Sequence, residues 1–151
     1  MQRTFAIAVV GPADAAPAEL AVAEEVGAAI AAAGWTVVTG GLGGVMEAAS
    51  RGARSRLGAT IGILPGPDPD EANGWVQTVI PTGLGQARNT LVVAAARGVV
   101  AVGGGYGTLS EIALALRAGR PVVGIGSWDV PGVEPVADAA AVVERLRART
   151  T

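Results

Sequence analysis

Glu111, Arg88 and a set of glycine-rich turns are the features of this 151-residue chain whose types and spacing suit chemistry. The chain has no His, no Cys and no Lys, so all 11 of its basic residues are Arg. Zinc centres, thiol nucleophiles, His-based triads and disulfides are thereby excluded. So are a Walker lysine and a pyridoxal-phosphate Schiff base. Any chemistry falls to Arg, carboxylates, hydroxyls, amides and backbone. No cofactor is required, and no metal site is expected.

The glycines, 23 of 151 residues, cluster after apolar runs. Gly11 follows the first run, Gly40-Gly41-Leu42-Gly43-Gly44 the second, Thr82-Gly83-Leu84-Gly85 the fourth and Gly103-Gly104-Gly105-Tyr106-Gly107 the fifth. In a parallel sheet such turns share one edge, where ligands of these folds bind. Glycine lets backbone approach a ligand, and each following helix offers unpaired amides and a positive dipole end. Together they predict an anion cradle that needs no lysine, with a small phosphate-bearing ligand as its guest. The candidate contacts are Gly11, Gly41, Gly43, Gly44, Thr82, Gly83, Gly104, Gly105, Tyr106, Gly107 and Thr108. None of the turns has the G-x-G-x-x-G spacing after the first strand, which disfavours dinucleotide binding of the NAD kind.

Arg88 falls at or near a helix start, where a cation is poorly placed unless an anion is bound beside it. It reads either as a phosphate or ribose clamp or as a solvated surface charge. Glu111 closes Thr108-Leu109-Ser110-Glu111, which has the spacing of a capping box. It also lies beside the cradle, where a carboxylate can bind ribose hydroxyls or stabilise positive charge at an anomeric carbon. Glu47 reads as a surface residue of a first helical turn, and Pro65-Gly66-Pro67-Asp68-Pro69-Asp70 as a solvated acidic loop. Trp75 and Trp128 suit a core edge or a base-stacking surface equally well.

The elements that must position these groups alternate along the chain. Strands are expected over 5–10, 36–39, 60–64, 76–80, 98–102 and 121–125. Their unbroken apolar character suits strands covered on both faces. Helices are expected over 19–33, 45–57, 88–97 and 134–149, with another carrying Leu109, Ile112, Ala113 and Leu116 and stopping at Gly119. The pattern predicts one α/β domain over 1–151, Rossmann-like and doubly wound, with a mostly parallel sheet and helices on both faces.

A net charge of −2 with 16% charged residues argues against a nucleic-acid partner. No apolar run reaches about 18 residues, so no membrane partner is expected and a cytoplasmic location is. Segments such as Leu91-Val92-Val93-Ala94-Ala95-Ala96 are apolar nearly all round. They predict self-association as a homodimer or homotetramer.

The strings Gly40-Gly41-Leu42-Gly43-Gly44-Val45-Met46-Glu47-Ala48-Ala49, Ile63-Leu64-Pro65-Gly66, Pro81-Thr82-Gly83-Leu84-Gly85-Gln86-Ala87-Arg88-Asn89 and Gly103-Gly104-Gly105-Tyr106-Gly107-Thr108-Leu109-Ser110-Glu111 resemble bacterial proteins related to the molybdenum cofactor carrier. These belong to the superfamily of the LONELY GUY phosphoribohydrolases and of proteins long mislabelled lysine decarboxylases. The resemblance runs from the first strand to about Trp128. It implies a carrier of a molybdopterin-type or nucleotide ligand, with a site near a subunit boundary. For the phosphoribohydrolases it implies Glu111 and Arg88 as catalytic residues in the cleavage of nucleoside 5′-monophosphates. Gly103 stands where that motif has Pro, and Asn89 where it has Lys, departures that match the carrier-like branch. A nucleotide-sensing regulator is the third reading.

Overall fold

In the computed structural model, which describes residues 1–150, the first apolar run forms β1 (Ala6–Val10), buried along its whole length. It lies inside a seven-stranded sheet ordered β4-β3-β2-β1-β5-β6-β7, in which every pairing is parallel. The chain runs outward from β1 through α1 (Pro17–Ala32), β2 (Thr36–Thr39), α2 (Val45–Ser55), β3 (Thr60–Leu64) and β4 (Thr78–Pro81). It then crosses back with α3 (Arg88–Ala95) to place β5 (Ala96–Val102) on the other side of β1, before α4 (Tyr106–Arg117) and β6 (Val122–Ile125). An edge strand, β7 (Val133–Pro135), and α5 (Ala139–Thr150) complete it.

Alternate side chains of β1 feed two cores, as a period of two requires. Ile7 and Val9 pack with Val26 and Ile30 of α1, Ala49 of α2 and Leu146 of α5. Ala6, Ala8 and Val10 face Val92 and Val93 of α3 and Ile112 and Ala115 of α4. Helices therefore cover both faces, the doubly wound arrangement expected. The direction of winding reverses between β1 and β5. That places a switch-point crevice at their carboxyl ends.

On the α1–α2 side, two glycines set the helix spacing. A methyl group on Gly27 would lie 1.9 Å from the carbonyl oxygen of Ala49, and one on Gly52 1.9 Å from that of Glu24. The backbones touch there, so no side chain fits between them.

Several expected boundaries shift, and three of the shifts have a plain structural setting. The third helix ends at Ala95 rather than Arg97, because Ala96 already pairs with Ala6 in the sheet and Arg97 lays its guanidinium over the Phe5 ring. The fourth strand is Thr78–Pro81 rather than 76–80. The last helix does not begin at Glu134. Val133–Pro135 is a strand on the sheet edge, where a proline without an N–H is tolerated. Asp138 then caps α5 by accepting the Ala141 N–H at 2.9 Å. No helix among the described residues is long and apolar enough to cross a membrane.

Candidate functional site

At the crevice, the turn after β1 and the turn after β5 meet. Gly11 is packed so tightly that a Cβ would come within 2.6 Å of the Val102 carbonyl oxygen and of Val45. Gly103 takes a left-handed φ of 69°, which a larger residue adopts only with strain. Pro12 continues the first turn and Gly105 the second, and both border a cavity of about 270 Å³.

The floor of that cavity is the start of α4. Gly105 is the N-cap, and the first helical bond runs from the Leu109 amide to the Gly105 carbonyl at 3.0 Å. The amides of Tyr106, Gly107 and Thr108 thus have no helical acceptor and carry the positive end of the helix dipole. Thr108 is therefore the third helical residue and not a cap, which corrects the expected capping box: the helix starts three residues earlier than that motif requires. Its side chain is 2% exposed, it borders the cavity, and its hydroxyl has no hydrogen-bond partner. A buried hydroxyl left unmatched costs about 1–3 kcal/mol. Glu19, not Glu111, makes a capping contact, accepting the Ala16 N–H at 2.8 Å.

The opposite wall comes from α3. Arg88 is not a solvated surface charge. It is 5% exposed, its Nε–H donates to the Ile63 carbonyl at 3.0 Å, and its Nη1 donates to Asn89 Oδ1. A Cβ on Gly40 would strike its Nη2 at 2.6 Å, so that glycine exists to let the guanidinium through. Burial lowers the pKa of Arg88, and the nearby Glu111 carboxylate partly offsets this. Burial pushes Glu111 up to about 7, against the pull of Arg88. No salt bridge joins the two groups, and both border the cavity. An anion between them would meet a desolvated guanidinium, a helix N-terminus and a free hydroxyl.

The structure brings Gly11, Arg88, Gly105, Gly107, Thr108 and Glu111 to one cavity. Gly41, Gly43, Gly44, Thr82 and Gly83 do not border it. Gly41 packs on Leu64, and Gly44 on the Pro12 and Ala13 carbonyls. Thr82 ties its loop down by donating its hydroxyl to the Leu64 carbonyl at 2.6 Å, and the Gly83 amide donates to Gly66. Gly104 and Tyr106 do not border the cavity either, and both lie beside Trp128. Met46, Gln86 and Asn89 border the cavity and were not singled out as contacts from sequence. For Gln86 and Asn89 the signal was their place on either side of Arg88 in one motif.

Fold and site together define a Rossmann-like α/β domain with an arginine- and glutamate-bearing cleft at its switch point. The chain belongs to the SLOG cluster4 family, whose model matches residues 4–148. It is similar to the molybdenum cofactor binding protein from the phototrophic bacterium Rippkaea orientalis, with 37% identity, all of both chains covered and a TM-score of 0.94. It is also similar to the molybdenum cofactor carrier protein from Chlamydomonas reinhardtii, with 42% identity over 97% of this chain and 99% of that one, and a TM-score of 0.87. An uncharacterized protein of Archaeoglobus fulgidus is 41% identical over 119 residues, 79% of this chain and 78% of that one. The resemblance read from the glycine motifs is borne out.

Proposed function

We propose that this chain binds a small phosphate-bearing ligand of pterin or nucleotide type in the β1–β5 crevice and carries it unchanged. The observation that carries this reading is Thr108: a buried, unpartnered hydroxyl beside three free helix-start amides, on the cavity that Arg88 also borders. That combination suits a phosphate group, which brings three acceptor oxygens and negative charge. The similarity to a molybdenum cofactor binding protein and a cofactor carrier supports a pterin-type cargo. Native mass spectrometry of freshly purified protein tests it. A retained phosphate-bearing small molecule supports the carrier, and a chain that neither retains nor takes up any such molecule contradicts it.

A second reading, nucleoside 5′-monophosphate phosphoribohydrolase, is favoured by Glu111. A carboxyl held near pH 7 is suited to general acid–base work. In that reaction Glu111 takes a proton from water as the water oxygen bonds the anomeric carbon. The C–N bond breaks, and the proton passes to the departing base, leaving ribose 5-phosphate held by Arg88. Chromatography of AMP and GMP incubations decides between the two: free base absent from a Glu111→Gln control selects the hydrolase, and both nucleotides left intact selects the carrier.

The proposal extends to self-association as a homodimer or homotetramer. Leu91, 40% exposed, and the exposed Ala94 and Ala95 give α3 an apolar outer face.

A further inference from the structure

A second cavity, of about 360 Å³, opens beyond the first, between the loop that follows β6 and the edge strand β7. Gly126 turns the chain with a left-handed φ of 57°, and the next three residues, Ser127, Trp128 and Asp129, all face this space together with Val133 and Pro135 of β7. Its size falls at the lower end of small-molecule sites. The phosphate reading does not use any of these residues.

Three observations give the cavity a chemistry. The Ser127 hydroxyl is shielded from solvent and has no hydrogen-bond partner. Asp129 presents a carboxylate with no ion-pair partner among the described residues, and an ionised carboxylate only accepts hydrogen bonds. Trp128 supplies an indole wall whose orientation is fixed, because its Nε1–H donates to the Gly105 carbonyl at 3.0 Å and Tyr106 stacks against it at 6.1 Å. Gly105 is the N-cap of α4 and borders the first cavity, so this one bond joins the two cavities wall to wall.

A flat, bicyclic ring with a donor edge matches that set. We infer that the Ser127–Asp129 cavity is a subsite for a heterocycle carrying a 2-amino-4-oxo pyrimidine edge, the edge that pterins and guanine share. The ring N–H and the exocyclic amine are two parallel donors, which the two oxygens of Asp129 accept as a pair. The Ser127 hydroxyl donates to the 4-oxo oxygen, and the ring lies against Trp128. Adenine presents the opposite pattern to such a site and is rejected. The subsite rests on the proposed crevice only for the position of the phosphate.

Calorimetric titration with GMP, AMP, guanosine, pterin and ribose 5-phosphate tests it, with Asp129→Asn as the variant. Asp129 is exposed, so the substitution leaves folding intact, and circular dichroism checks that. GMP is expected to bind on the order of tenfold more tightly than AMP, and Asp129→Asn to erase that preference while AMP affinity stays. Guanosine and pterin are expected to bind in an Asp129-dependent way without phosphate, and the tighter of the two identifies the source of the ring. Equal binding of GMP and AMP, or a preference that survives Asp129→Asn, overturns the subsite and leaves the phosphate crevice standing. Loss of ribose 5-phosphate binding with Asp129-dependent guanosine binding retained does the reverse. No binding of any of the five overturns both.

Discussion

Arg88 of α3 reaches across the sheet edge to donate its Nε–H to the carbonyl of Ile63, the penultimate residue of β3. The contact links two residues 25 positions apart and sinks a guanidinium into the protein near Glu111. The fold thus holds a charge in place before any ligand arrives. Such preorganisation lowers the ordering cost of binding.

Arg88→Ala is expected to weaken phosphate-ligand affinity by about 1.5–3 kcal/mol, roughly 10–150-fold, through loss of charge-assisted bonds. Stability falls as well, by about 1–3 kcal/mol, because the Ile63 carbonyl loses its buried donor. Calorimetry and thermal melts on the same preparation check both. A fall in melting temperature with unchanged affinity makes Arg88 structural only.

Glu111 predicts a pH dependence of stability. Its folded pKa, about 7, lies above the unfolded value, so the folded state holds the proton more tightly. The stabilisation this gives is complete below the unfolded pKa and is lost as pH rises through about 7. Glu111→Gln is expected to flatten the melting temperature between about pH 5 and about pH 8 and to raise it at the upper end. Sulfate, whose charge is constant over that range, is expected to bind more tightly at the acidic end of it, where Glu111 is neutral. A pH-independent sulfate affinity contradicts the coupling.

How much of this was legible in the sequence depended on whether a signal was local. The strands of the interior, such as Ala6–Val10 and Val122–Ile125, announced themselves because burial on both faces demands unbroken apolar runs. The edge strand Val133–Pro135 did not, since an edge tolerates Glu and Pro and its three residues carry no period. Arg88 and Glu111 stood out by type and by motif. The burial of Arg88 was not readable, because the space it fills is created by Gly40, 48 positions away, and its acceptor is a backbone carbonyl. Trp128 remained open for the same reason: its partner, the Gly105 carbonyl, lies 23 residues upstream.

The α1–α2 contact gives a prediction about stability alone. Gly27→Ala forces a Cβ against the Ala49 carbonyl and is expected to cost about 1–3 kcal/mol. The melting temperature then falls by several degrees, about 2–4 °C for each kcal/mol. Ligand affinity measured well below the melt is expected to hold. An unchanged or raised melting temperature contradicts the close approach of these helices.

Light scattering over a dilution series checks self-association through the outer face of α3. A mass two or four times the 14.8 kDa of one chain is expected, and Leu91→Glu is expected to reduce it. A single-chain mass at high concentration contradicts the proposal.

The most direct test of the phosphate crevice is calorimetric titration of ribose 5-phosphate into the wild type and Thr108→Val. Valine keeps the shape of threonine and removes only a hydroxyl that has no partner within the fold. The unliganded variant is therefore expected to melt at or above the wild-type temperature, yet to bind the phosphate more weakly by about 1.5–3 kcal/mol, roughly tenfold or more. Undiminished affinity in Thr108→Val, or no saturable binding by the wild type, contradicts the account.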